Sequence, residues 1–233
     1  MHSITNVING DCLEGLTLME DEIADLALID PPYFDYKSNH RKDKSDVLSK
    51  GIIQQPQEEQ IRTILECIRI LKTNSAFFLF TNWENIYWMQ QPLRTHLRNM
   101  IIWDKGNWTA GDLNGSFGNR YEIIFLGVKG KDWKYRGGRD NDIWRQDEKY
   151  MLNRPSGKAR IHPTEKPVDL YRKCIEVACD EGALIIDPYG GSGSSAEAAV
   201  LTNRNIIVYE KDVVYYNKIM ERLRNCRERI AQT

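Results

Sequence analysis

Three short apolar runs in this chain each stop on an acid. Ala24–Ile29 stops at Asp30, Ala183–Ile186 at Asp187, and Asn205–Tyr209 at Glu210. Short apolar runs alternating with helical patterns read as an α/β sheet with parallel strands. Between the first two runs, Ile61, Ile64, Leu65, Ile68 and Leu71 recur at helical spacing over 57–72, with Glu58 and Glu59 in the first turn. Residues 76–80, 100–103 and 122–128 read as further strands. A helix from Glu84 is interrupted near Pro92. Another over 168–179 turns Leu170, Cys174, Ile175 and Ala178 inward, and a third covers 195–201. The last helix carries a stripe of Tyr215, Ile219, Leu223, Cys226 and Ile230.

A parallel α/β sheet binds ligands at the C-terminal edge of its strands, which is where the three acids fall. One such acid is an ordinary turn or helix cap; three at one edge point to a site. The run from Asp187 to Ser195 (DPYGGSGSS) is a glycine-rich turn between strand and helix, and Glu210 follows Asp187 at about the distance of a ribose-binding acid. The turn is not G-x-G-x-x-G and lacks the lysine of a phosphate loop, so it suits a nucleoside better than a pyrophosphate. It would serve equally to pack a helix on a strand. Asp30-Pro31-Pro32-Tyr33 is sharper, since a chosen tetrapeptide occurs in about one chain in a thousand of this size. The prolines stiffen the strand exit and donate no hydrogen bond. They leave the Asp30 carboxylate and the Pro31 carbonyl as two acceptors, a match for the two hydrogens of an exocyclic NH₂. Tyr33 adds a ring face for stacking on a base.

A length of 233 residues fits one domain, or one with a modest insertion. The formal net charge of −1 argues on its face against a nucleic-acid partner. The distribution reverses that reading: residues 1–36 hold eight acids and no Lys or Arg, whereas residues 94–173 hold seventeen bases against ten acids. Two irregular stretches, 35–57 and 106–160, are longer than connections usually are. The second interleaves bases such as Lys134, Arg136, Arg139 and Arg145 with Trp133, Tyr135, Trp144 and Tyr150. The five cysteines form no C-x-x-C pair and do not cluster with the four histidines, so no metal is expected and reduced thiols in a cytoplasmic setting are the simpler reading. Neither a signal peptide nor a membrane span of about 20 apolar residues is expected.

Asp30–Tyr33 resembles the D-P-P-Y signature of S-adenosylmethionine-dependent amino-methyltransferases acting on DNA. Asp187–Ser195 is similar to that family's cofactor loop, with Tyr189 in place of Phe and Ser194 and Ser195 in place of paired threonines. His162-Pro163-Thr164-Glu165-Lys166-Pro167 resembles its H-P-T-x-K-P element, Asn9-Gly10-Asp11-Cys12 its N-terminal element, and Trp103-Asp104-Lys105 its W-x-K element. The order, catalytic motif first and cofactor loop last, is that of the β group. The resemblance implies a Rossmann-like, mostly parallel sheet with helices on both faces. It implies a catalytic half over 1–105, a small irregular target-recognition insertion over 106–160, and an S-adenosylmethionine-binding half over 161–233.

By the same resemblance Glu210 would hold the cofactor's ribose, and Asp11 and Cys12 would lie near its adenine. Asp187, Tyr189, Gly190, Gly193 and Ser194 would line its middle, with Asp30 adjoining. Thr164 and Lys166 would meet its methionine carboxylate. Asp30, Pro31, Pro32 and Tyr33 would form the catalytic motif, acting on N6 of an adenine flipped from double-stranded DNA. Arg41, Lys42 and Lys44 would close over that base, while Lys134, Arg136, Arg139 and Arg145 would contact DNA. Cytosine members of the family more often carry Ser at the Asp30 position, so adenine is favoured over N4 of cytosine. An RNA or protein-glutamine substrate, or a non-catalytic DNA-binding homologue, is a more distant reading. A homodimer and a cognate restriction endonuclease are candidate partners by the family's habits.

Overall fold

The computed structural model describes residues 3–32, 55–106, 115, 117–138, 140–147, 149–152 and 165–232. The elements, in chain order, are β1 (Thr5–Asn9), α1 (Cys12–Thr17), β2 (Ala24–Ile29), α2 (Gln57–Ile70), β3 (Leu71–Thr81), α3 (Ile86–Leu93), β4 (Leu97–Asp104), β5 (Tyr121–Lys129), β6 (Ile143–Trp144), α4 (Val168–Ala178), β7 (Leu184–Asp187), α5 (Ser194–Leu201), β8 (Asn205–Glu210) and α6 (Val213–Ala231).

The strands form one sheet in the order β1-β8-β7-β2-β3-β5-β4-β6. All neighbours pair in parallel except β5, which runs antiparallel to both β3 and β4. The carboxyl ends of the other seven strands and the amino end of β5 therefore share one edge. From β2 the chain moves to β3 on one side, whereas β7 and β8 lie on the other. This makes a topological switch point beside β2.

Successive residues of a strand point to opposite faces, and the core divides accordingly. Leu26, Leu28, Ala76, Phe78 and Phe80 face a cluster closed by α4, α5 and α6 through Leu170, Cys174, Ala196 and Ile219. Ala27, Ile29, Phe77 and Leu79 face a second cluster closed by α1, α2 and α3 through Leu16, Ile64, Cys67 and Met89. At about 25 cal/mol per Å² of buried apolar surface, these two interfaces are the main stabilising term.

Several expectations shift on contact with the structure. α2 ends at Ile70, so Leu71 opens β3 instead of closing the helix. Leu65 is exposed, and Gln60, Thr63 and Cys67 share the inward face with Ile64 and Ile68. Ile230 is exposed in the last turn of α6, beyond the stripe's reach. The block 106–160 supplies β5 and β6, so a boundary at 106 cuts through the sheet, because β5 is the strand that joins β3 to β4. Among the described residues, no helix is long and apolar enough to cross a membrane, and no cluster of His, Cys, Asp and Glu is arranged to hold a metal.

Candidate active site

Asp30, Asp187 and Glu210 come together at the sheet edge, on the adjacent strands β2, β7 and β8. Asp187 is 2% exposed. Its Oδ1 accepts from the Tyr189 amide at 2.8 Å and its Oδ2 from the Ser195 hydroxyl. Burial pushes its carboxyl up to about 7 despite those bonds, and the charges of Asp30 and Glu210 push the same way. Burial likewise raises Glu210, whose two oxygens accept from the Gly191 amide at 2.7 Å and the Asp212 amide at 2.8 Å.

The loop between β7 and α5 is shaped by its glycines. Gly193 caps α5 in the left-handed region (φ 77°), where a side chain is strained. A Cβ on Gly190 would fall 2.7 Å from Val208 Cγ1 and 2.9 Å from Ile219 Cδ1, so only glycine lets this loop lie flat on β8 and α6. Ser194 is buried and its hydroxyl bonds that of Ser192 at 3.0 Å. Arg222 of α6 donates to Ser192 O at 3.0 Å, to Glu165 at 2.8 Å and to Glu197 at 2.5 Å, which ties the loop to the segment before α4.

On the β1 side, Asp11 caps α1 by accepting from the Leu13 amide at 2.9 Å, and Lys211 donates to its other oxygen at 2.9 Å. Burial raises the Asp11 carboxyl, but the Lys211 bond and charge together with the capping amides outweigh it and hold it below the usual carboxylate range. The neighbouring Cys12 is buried, and desolvation first, then the Asp11 charge, pushes its thiol up to about 12. It is no nucleophile at neutral pH.

Pro31 is buried and Pro32 half-buried as the chain leaves β2. The fully buried Gln60 donates from one nitrogen to Pro32 O at 2.9 Å and to Gln55 O at 2.8 Å. Tyr189 is half-buried, and its hydroxyl donates to Gln55 Oε1 at 2.7 Å, joining the glycine loop to the same point. Asp30 Oδ2 accepts from Lys166 Nζ at 2.5 Å. Lys166 thus lies against Asp30, where the family resemblance alone would send it to a cofactor carboxylate. Tyr33, Arg41, Lys42, Lys44, Arg139 and Thr164 lie outside the described residues.

Sequence reasoning missed Glu122 as a site residue and marked Lys105 only through the W-x-K resemblance. Glu122 is the second residue of β5 and precedes an apolar run, Lys105 follows β4, and the antiparallel pairing of β5 with β4 brings both to the edge that carries Asp30. They pair with each other at 3.6 Å, and Glu122 also lies 3.6 Å from Lys166. An acid inside an apolar run was the signal available.

The basic, aromatic stretch has two characters. Lys134 and Arg145 are exposed. Arg136, in contrast, donates to the carbonyls of Ala178 and Lys134 and pairs with Asp180, at the C-terminal end of α4. Trp144 and Tyr150 are buried in the first core cluster, and Trp133 and Tyr135 pack against it. Among the described residues, exposed aromatics at the edge that carries Asp30 include Trp83, just past β3, Phe117, between β4 and β5, and Tyr121, the first residue of β5.

Comparison with known proteins agrees with this arrangement. A family model described as DNA methylase, of the N6/N4 methyltransferase type, matches residues 24–221. The type II methyltransferase M.HinfI of Haemophilus influenzae is 26% identical over 95% of this chain and 68% of its own length. The fold is that of M1.HpyAVI in its SAM complex (TM-score 0.70, 19% identity, 94% of this chain and 99% of that one). It is equally that of the cytosine-N4-specific PvuII DNA methyltransferase (TM-score 0.71, 15% identity, 99% and 93%). With the matched residues taking in the strand-end acids and the glycine loop alike, the chain belongs to the DNA methylase family.

Proposed function

We propose that this protein methylates N6 of adenine in DNA, with S-adenosylmethionine as donor. The observation that carries the reading is the placement of Asp30-Pro31 at the switch point, directly beside Asp187 and Glu210 on β7 and β8. The edge fits such a cofactor by its donor set: strand-end carboxylates suit ribose hydroxyls and a cationic centre, and the glycine loop brings backbone within reach. Glu210 takes the ribose, Asp11 and Cys12 flank the adenine, and Asp187, Tyr189, Gly190, Gly193 and Ser194 line the middle. Thr164 is assigned to the methionine carboxylate. Bound there, S-adenosylmethionine supplies a methyl group on a cationic sulfur.

The amine of adenine is a poor nucleophile because its lone pair is delocalised into the ring. Asp30 and the Pro31 carbonyl accept its two hydrogens, which favours a pyramidal nitrogen and stabilises the positive charge that develops there. Placement supplies much of the rest, about 7–11 kcal/mol where alignment is good. A base inside a duplex must first be flipped out, and Tyr33 stacks on it. Lys134, Arg139 and Arg145, together with Arg41, Lys42 and Lys44, supply phosphate contacts that position the duplex.

The fold shared with a cytosine-N4 enzyme makes N4 of cytosine the second reading, since the same pair of acceptors suits either amine. Incubation with labelled S-adenosylmethionine and unmethylated DNA, followed by nucleoside identification, separates them. N6-methyladenine is expected, and N4-methylcytosine would transfer the reading to the alternative. Absence of transfer to any DNA or RNA would overturn both. Asp30→Ala should abolish transfer while cofactor affinity persists.

A further inference from the structure

Four charged side chains form an alternating row at the catalytic edge. Asp30 Oδ2 lies 2.5 Å from Lys166 Nζ, Lys166 Nζ lies 3.6 Å from Glu122 Oε2, and Glu122 Oε1 lies 3.6 Å from Lys105 Nζ. Their side chains are 17%, 3%, 11% and 6% exposed, so the row is almost wholly out of water. The Lys166 ammonium also lies over the Phe80 ring, 5.3 Å from its centroid.

We propose that Glu122 is a positioning residue for Asp30, acting through Lys166, with Lys105 as its counter-charge. The inference rests on the methyltransferase reading above. A buried ammonium is tolerated when opposite charges surround it. The row as a whole is formally neutral, so Glu122 and Lys105 add no net charge to Asp30 and Lys166; what they add is rigidity. Asp30 sits where β2 gives way to the catalytic motif, and Lys166 precedes α4, so neither is held within a strand. Glu122 is: it lies in β5, which is bonded on both sides, and is paired with Trp103. Lys105 is fixed through its amide to Arg120 O at 3.0 Å. Glu122 therefore offers Lys166 an anchor in the sheet, and Lys166 passes that fixed position to the Asp30 carboxylate. A carboxylate accepts about four hydrogen bonds, so a lysine on Oδ2 leaves capacity for the substrate amine. The row also gives Lys166 a task other than holding the methionine carboxylate.

The two roles separate in kinetics on the full chain. Kd for S-adenosylmethionine is measured by calorimetry, and kcat on the unmethylated DNA substrate, for wild type, Glu122→Gln, Lys166→Met and Glu122→Asp. A misplacement of about 1 Å at a reacting group can cost about 100-fold. The expected result is a fall in kcat of about 10- to 100-fold for Glu122→Gln and Lys166→Met, with Kd within about threefold of wild type. Glu122→Asp should regain part of the loss. If Glu122→Gln does not accumulate folded, Lys166→Met carries the same comparison. Unchanged kcat in Glu122→Gln overturns the inference. So does a Kd raised more than about tenfold with kcat intact in Lys166→Met, which would make that lysine a cofactor ligand. A wild-type protein that methylates nothing would instead refute the underlying reading.

Discussion

Asp187 imposes a stability cost that pH should reveal. Its carboxyl has an ordinary value of 3.8 and is raised to about 7 by burial, with smaller contributions from the charges of Asp30 and Glu210. At 1.36 kcal/mol per pH unit, that difference comes to about 4 kcal/mol. The sign follows from proton binding. Between these two values the folded protein holds a proton that the unfolded chain has released. Stability from this group therefore falls as pH rises through the interval and is lowest above about 7. Asp187→Asn removes the titration while keeping the geometry: its Oδ1 still accepts from the Tyr189 amide, and its Nδ2 can donate to the Ser195 hydroxyl. Urea unfolding of both proteins at several pH values measures the difference. From about pH 5 to about pH 7 the wild type should lose about 2 kcal/mol relative to the variant. At about pH 8 the variant should be the more stable by about 4 kcal/mol while binding S-adenosylmethionine more weakly. Parallel stability curves for the two proteins would refute the assignment of a buried, proton-holding carboxyl.

The Gly190→Ala variant should lose about 1–3 kcal/mol of stability, read from its denaturant midpoint, since its methyl group would press on Val208 and Ile219. DNA affinity should fall steeply with salt, and Lys134→Ala or Arg145→Ala should each flatten the log–log salt slope by about 1. Arg136→Ala should chiefly lower the melting temperature and leave that slope unchanged, because its guanidinium is spent on carbonyls at the end of α4 and on Asp180.

The strand-end acids were legible because each terminates an apolar run, and a parallel sheet gathers such ends at one edge whatever the strand order. The motif at Asp30 and the glycine loop were legible for a related reason: their chemistry is local to a few consecutive residues. Glu122 was not, and Lys105 was marked only by the W-x-K resemblance, since their nearness to Lys166 depends on the antiparallel pairing of β5 with β3 and β4, a long-range fact. β1 and α1 escaped notice because Thr5–Asn9 is short and half polar, as an edge strand can be, and α1 spans only Cys12–Thr17. Composition misled at Trp144 and Tyr150. Bases between aromatics suggest a nucleic-acid surface, but those two rings face inward, with the Lys173 ammonium 4.8 Å above Trp144.

The single carboxamide of Gln60, bonded to Pro32 O and Gln55 O, has a consequence for how this enzyme can change. One side chain thereby fastens the exit from β2 to the residues that lead into α2, and the Tyr189 hydroxyl on Gln55 brings the glycine loop to the same junction. Losing that carboxamide would leave buried polar groups without partners, at a cost of about 1–3 kcal/mol. A lineage that altered the junction would disturb Asp30 and the glycine loop together, so the two can drift only in step.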